Sequence, residues 1–203
     1  MMNILKNFIV IEGLDGSGTS TQAKLLSKNI KNSFFTYEPT DNDIGKFIRK
    51  ILRNEISVDY TSLAYLFAAD RNEHLYSNNG IVERCNRGEI VICDRYLFSS
   101  FAYQCLNLSF EKVFELNKDF FLPQIVFFLN TSIDECLRRL NQRETTKEIF
   151  EKESLQEKIL QNYKKAFSFL KKEGFKYYEI NGNQRIEQIL NIEMEILKKE
   201  SLL

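Results

Sequence analysis

"IVIEGLDGSGTSTQ", Ile9 to Gln22, is the stretch on which the fold turns. Its apolar start reads as a strand over Phe8–Ile11. Its glycines at 13 and 18 have the spacing of the phosphate-loop pattern G-x-x-x-x-G-K-[ST], and Ser20 takes the hydroxyl position. Thr19 stands where that pattern has lysine. The segment that follows, "TSTQAKLLSKNI", has helical period, so the strand–loop–helix order that the motif requires is present. Gly13, Gly16 and Gly18 let the backbone curl until successive N–H groups point inward. The N-terminus of the next helix adds partial positive charge. The candidate phosphate-binding set is therefore Gly13, Gly16, Ser17, Gly18, Thr19, Ser20 and Thr21, with the Ser20 hydroxyl on offer to Mg2+. Thr19 cannot supply the full charge of a lysine, and losing one placed cation or donor typically lowers a rate by about 10²–10³.

Outward from this loop, apolar runs read as strands at Phe34–Tyr37, Ile90–Cys93, Ile125–Leu129 and Tyr177–Ile180 as well. "IVIC" and "IVFFL" are continuous rather than alternating, as in strands covered on both faces. Helix-period segments separate them: Thr19–Ile30, Asp43–Asn54, Thr61–Tyr76, Ile81–Arg87, Phe110–Lys118, Ile133–Arg143, Leu155–Lys172 and Gln184–Lys199. The alternation predicts an α/β fold, a five-stranded parallel sheet flanked by helices on both faces. Ligands would then sit at the C-terminal edge of the strands. Pro39 and Pro123 both stand next to predicted strands. With 203 residues, no repeat and no linker, a single domain over 1–203 is expected. The polar stretch Asn141–Ser154, "NQRETTKEIFEKES", is a candidate lid, or else a solvated helix face.

Composition narrows the chemistry. The 28 basic and 28 acidic residues balance, so no global field draws in nucleic acid or an anionic membrane, and any anion site must be local. Cys85, Cys93, Cys105 and Cys136 have no metal-ligand spacing and read as reduced thiols. His74 is the only histidine, which disfavours histidine catalysis. No apolar run approaches the length of a membrane span, and the start is too short before Glu12 for a secretion signal, so a cytoplasmic protein is expected.

Three further constellations carry chemistry. In "GEIVICDRYLFSSFAYQ", Asp94-Arg95 ends an apolar strand, where a carboxylate can serve the magnesium side and an arginine fork can bridge two phosphates. The alternative is a strand-end salt bridge. "YEPTDNDIGKFIRKIL" puts Glu38-Pro39 at another strand end and Arg49 one helix later. "LAYLFAADRNEH" sets Phe67 and Arg71 on one helix face at i, i+4. An aromatic face beside a fork of donors suits a flat base, although from spacing alone core packing for Phe67 and a surface ion pair for Arg71 are the better reading.

The order of these pieces over essentially the whole chain resembles bacterial thymidylate kinase, a P-loop nucleoside monophosphate kinase that phosphorylates dTMP with ATP. The pieces are "FIVIEGLDGSG", "YEPT", "IGKFIR", "YLFAADRNEH", "CDRY", "SSFAYQ", "CLRRLNQRE" and "INGNQRIEQI". The resemblance implies that Asp15 holds the acceptor sugar 3′-hydroxyl and that Arg49 and Arg95 bind the acceptor phosphate, Arg95 also reaching toward the donor. It implies that Phe67 stacks on thymine, Arg71 reads its carbonyl edge, and Ser100 and Gln104 contact the base near Glu38-Pro39. Tyr103 would close against the 2′ position, Ser20 and Asp94 would lie on the magnesium side, and Asn181 and Gly182 of "NGNQ" would face the ATP adenine. Gly16 after Asp15 resembles the group of these enzymes whose basic residues lie in the lid. That makes Asp15, Arg95 and Arg143 the implied catalytic set, with Ile149 where a later lid arginine falls and Lys147 the nearest cation. The implied protein is a homodimer using segments such as Thr61–Tyr76, and it binds dTMP and Mg2+–ATP but neither nucleic acid nor membrane. The alternatives are a non-catalytic nucleotide-binding paralogue, or a kinase of another monophosphate such as dUMP.

Overall fold

In the computed structural model, which describes residues 2–142, 149 and 153–203, five strands form one sheet. They are β1 (Ile4–Gly13), β2 (Ser33–Tyr37), β3 (Ile90–Asp94), β4 (Leu122–Asn130) and β5 (Lys176–Asn181). Their order is β2-β3-β1-β4-β5, and every pair is parallel. Among the described residues the helices are α1 (Thr19–Asn29), α2 (Asp43–Leu52), α3 (Tyr60–Tyr76), α4 (Ile81–Asn86), α5 (Leu97–Ser99), α6 (Phe110–Asn117), α7 (Ile133–Asn141), α8 (Glu153–Leu170) and α9 (Ile186–Lys199). None of them is long and apolar enough to cross a membrane.

The sheet separates two cores, and strand periodicity decides which residue joins which. From β1, Phe8 and Val10 go to one side with Val91, Cys93, Val126 and Phe128, beneath residues of α2, α3, α4, α6 and α8. Ile9 and Ile11 go to the other side with Ile92, Phe127 and Leu129, against Ala23 and Leu26 of α1 and Ile189 and Leu197 of α9. Covered on both faces, β3 is buried from end to end, whereas β2 at the sheet edge is only half-buried.

The structure shifts several boundaries. β1 begins at Ile4 rather than Phe8, because Ile4 and Leu5 pair with Leu122 and Pro123 ahead of a register irregularity. Asn7 fills that irregularity with φ 61 and donates its N–H to the Gln124 side chain at 2.8 Å. Pro123 thus lies inside β4 rather than beside it. α2 stops at Leu52 and α9 starts at Ile186, each two residues short of the helical pattern. Among the described residues, the element with no counterpart in the sequence pattern is α5 and the π-helical turn that continues it, Ser100–Gln104. Apart from Ser99 every residue of Leu97–Gln104 is buried, so the segment carries no polar face and no amphipathic period to read. The four cysteines are free thiols. Of the candidate lid, Asn141 ends α7 and Ile149 donates its N–H to the Leu52 carbonyl at 3.0 Å. Arg143 and Lys147 lie outside the described residues.

Candidate functional site

The phosphate loop joins the end of β1 to α1 along the C-terminal edge of the sheet. Gly16 has φ 85, and a Cβ there would stand 2.5 Å from the Cys136 carbonyl oxygen of α7, so no other residue fits without displacing that helix. Gly18, at φ 102, is the left-handed cap of α1. Ser17 N–H donates to Leu14 O at 3.0 Å, which tightens the curl. Thr19 is buried at the helix start, while Ser20 and Thr21 are exposed there. Ser20 Oγ donates to Asp94 Oδ2 at the end of β3, joining two strand ends.

Arg95 follows with φ 67, a left-handed backbone that a non-glycine residue adopts only when its surroundings fix it. Its Nη2 donates to Asp15 Oδ1 at 2.7 Å and its Nη1 to the Gly13 carbonyl at 2.9 Å, so the guanidinium lies against the phosphate loop. The same Nη1 reaches the hydroxyls of Tyr103 at 3.1 Å, Tyr163 at 3.2 Å and Ser99 at 3.3 Å. Glu12, immediately before the loop, is fully buried beside this cluster. Burial pushes its carboxyl up to about 7, against the pull of Ser99, Arg95, Tyr163 and the Tyr96 N–H.

A cleft of about 290 Å³ opens from Arg95 toward α2 and α3. Asp15, Ser20, Glu38, Pro39, Arg49, Phe67, Arg71, Asp94, Arg95, Ser100, Tyr103 and Gln104 all line it. The Glu38-Pro39 peptide is cis. Arg71 is a wall rather than a free hand. Its Nε and Nη2 donate to Glu38 Oε2 at 3.0 and 2.6 Å, its Nη1 donates to Asn117 Oδ1, and its guanidinium lies 4.9 Å from the centre of the Tyr96 ring. Burial alone would raise the Glu38 carboxyl, but Arg71 and His74 hold it below the usual carboxylate range. His74 Nδ1 stands 3.2 Å from Glu38 Oε1, so the lone histidine buttresses this pair. Arg49 sits at the rim, donating to Pro39 O and, at 2.9 Å, to Asp41. Among the described residues, Ser100 Oγ and Gln104 Oε1 are buried in the cleft wall without a hydrogen-bond partner. Polar atoms left so are expensive to bury, and a polar ligand in the cleft would satisfy them.

Asn181, the last residue of β5, and Gly182, in the turn after it, lie apart from this cleft. Asn181 shares a second hollow with Asn130, Ser132, Glu179 and Asn183. Arg139 of α7 ties that turn to the phosphate loop, donating from Nη2 to Gly182 O and from Nη1 to Ser17 O, both at 3.0 Å. Glu135 anchors it from one turn back, Nε to Oε1 at 2.7 Å. Sequence reading assigned Arg139 no role, since an i, i+4 Glu–Arg pair reads as a solvated helix face. Glu12, Ser99, Asn117 and Tyr163 were missed likewise. Only the position of Glu12 next to the loop was there to be read.

The oxygens at Ser20 and Asp94 fit Mg2+. Both are hard donors, they meet at one point, and Asp94 Oδ1 is buried with no partner among the described residues. Among the described residues no group of three His, Cys, Asp or Glu side chains stands close enough to hold a metal ion.

The sequence profile described as thymidylate kinase matches residues 11–191. A putative thymidylate kinase of Treponema pallidum is 41% identical over 193 residues, 93% of each chain. A probable thymidylate kinase of Methanococcus aeolicus is 38% identical over 200 residues, 96% of each chain. Among solved structures, a thymidylate kinase from Candida albicans superposes with a TM-score of 0.81 at 24% identity, over 96% of this chain and 92% of that one.

Proposed function

The chain belongs to the thymidylate kinase family, and from that premise we propose how its cleft carries out the family's reaction, transfer of the γ-phosphoryl group of ATP to dTMP to give dTDP and ADP. The observation that carries the reading is the single cleft in which an aromatic face, Phe67, two arginines, Arg49 and Arg95, and two unsatisfied polar atoms, on Ser100 and Gln104, surround one volume of nucleotide size.

Phosphoryl transfer asks the protein for in-line placement and charge neutralisation more than for covalent chemistry. The acceptor phosphate is already an anion, so no strong base is required, in keeping with a single histidine that is spent on Glu38. We assign Phe67 to stack on the thymine, with Ser100, Gln104 and the Arg71–Glu38 wall fixing its polar edge. Asp15 and Tyr103 hold the deoxyribose, and Arg49 and Arg95 hold the acceptor phosphate. Arg95, against the Gly13 carbonyl, stands between that phosphate and the loop that cradles the donor. Ser20 and Asp94 would hold Mg2+, which neutralises donor phosphate charge when bound. The end of β5 and the turn after it, with Asn181 and Gly182, face the donor base, and Arg139 keeps that turn at a fixed distance from the phosphate loop. Arg143 completes the proposed catalytic set from the lid. A cytoplasmic homodimer is the setting we propose, with the exposed Tyr60 and Tyr65 of α3 in the interface.

Coupled ADP release tests the reading. Turnover is expected with ATP and dTMP, and weaker turnover with dUMP, UMP and dCMP. Failure of dTMP to stimulate ADP release, or a preference for another acceptor, overturns it.

A further inference from the structure

The residue just before the phosphate loop is a buried carboxylate to which the reaction scheme gives no task. Glu12 has no exposed surface. Its Oε1 accepts the backbone N–H groups of Tyr96 at 2.9 Å and Ser99 at 3.2 Å. Its Oε2 accepts the hydroxyls of Ser99 at 2.6 Å and Tyr163 at 2.9 Å. These donors belong to the groups that hold Arg95. Tyr96 is the next residue along the chain, and the Ser99 and Tyr163 hydroxyls each lie within 3.3 Å of Arg95 Nη1.

Two consequences follow from this geometry. First, Arg95 keeps a left-handed backbone, φ 67, that is unfavourable for any residue but glycine. It is pinned on both sides, by its own N–H to Ile11 O at 3.0 Å and by the following N–H to Glu12. Second, four donors converge on Glu12, and in the ionised form that they favour the group only accepts hydrogen bonds. The Ser99 and Tyr163 protons therefore turn toward Oε2, leaving their lone pairs for Arg95 Nη1, which only donates. A donor in place of Oε2 would turn those protons away from Glu12. The other acceptors within reach of Tyr163 are the Ser99 hydroxyl at 2.8 Å and Gly13 O at 3.2 Å, and the latter already receives Arg95 Nη1 at 2.9 Å.

We infer that Glu12 is a positioning residue for Arg95, fixing the turn that carries it and setting the direction of the hydroxyl hydrogen bonds that aim its guanidinium at the acceptor phosphate. The inference rests on the assignment of Arg95 to that phosphate.

The test is a double-mutant cycle read by calorimetry of dTMP binding, which needs no turnover. Wild type, Glu12→Gln, Arg95→Ala and the double variant are compared, with the melting temperature of each. Glu12→Gln keeps the shape but presents a donor or a neutral oxygen. It is expected to weaken dTMP binding ~10-fold in the wild-type background, the scale of one misdirected hydrogen bond to a charged group. In the Arg95→Ala background the same substitution is expected to change binding less than ~2-fold, since the group it positions is gone. Equal losses in both backgrounds mean that Glu12 acts on the fold at large and overturn the inference. If Glu12→Gln does not fold, Ser99→Ala takes its place in the cycle, because it removes the hydroxyl relay and leaves both backbone bonds to Oε1. The same non-additivity is expected and the same equality would refute it. A wild type that binds no dTMP overturns the acceptor reading itself, and this inference with it.

Discussion

Replacing Glu193 with glutamine is expected to stabilise the protein at neutral and alkaline pH. Glu193 lies on the sheet-facing side of α9 with no exposed surface, and among the described residues neither of its oxygens has a hydrogen-bond partner. Burial with no compensating charge pushes its carboxyl up to about 8. In the folded chain the group is therefore protonated at pH 7, whereas in the unfolded chain it ionises near 4.5. Between those values the folded state binds the extra proton, so stability falls as pH rises from about 4.5 to about 8 and is flat beyond. At about 1.4 kcal/mol per pH unit, the window from 4.5 to 7 amounts to about 3 kcal/mol, and the whole window to about 5 kcal/mol. Glutamine keeps the shape and cannot ionise. Urea unfolding of both proteins from pH 5 to pH 9 measures the effect. The two curves should nearly meet at pH 5, diverge up to about pH 8 and run parallel beyond it, with the variant more stable. Curves that run parallel from pH 5 to pH 8 would mean that Glu193 is not held as a neutral acid, and the reasoning would fail.

Other substitutions probe the acceptor wall and the loop. Glu38→Gln leaves Arg71 buried without its counter-charge and is expected to lower stability by about 3–5 kcal/mol, read as a reduced urea midpoint. A loss below about 1 kcal/mol would show that the pair is not desolvated. Gly16→Ala must displace the Cys136 carbonyl and adopt a left-handed backbone, so nucleotide-dependent thermal stabilisation should vanish, and an unchanged shift with ATP would contradict the loop geometry. Thr19→Lys restores the cation that the loop motif has and this chain lacks. If Arg95 and Arg143 already supply that charge, kcat should change less than ~10-fold, whereas a rise of ~10² or more would refute compensation.

How far the sequence could be read follows from which forces act locally. The sheet was legible because strands buried on both faces need continuous apolar runs, and β3 and β4 contain them. Their neighbours were legible because α1 and α8 carry a helical period. The segment from Leu97 to Gln104 was not, because burial on all sides erases that period. At the site, residues in contiguous motifs, such as Asp94-Arg95 or Phe67 with Arg71, stand out along the chain. Those that matter through long-range contact do not. Glu12 meets Tyr163 from 151 positions away, and Arg139 reaches Ser17 across 122. Glu38 was placed beside the base, yet the paired donation of Arg71 Nε and Nη2 to its Oε2 emerges only once β2 and α3 are packed together.

In the proposed reaction one cleft joins a dTMP acceptor to a loop-bound ATP donor for direct phosphoryl transfer. Incubating the protein with Mg2+, dTMP and ATP labelled in its γ-phosphate, and separating the products by chromatography, tests this most directly. The label is predicted to appear in the β-phosphate of dTDP in step with ADP. Label recovered only as inorganic phosphate, or retained in ATP while dTMP is bound, would contradict it.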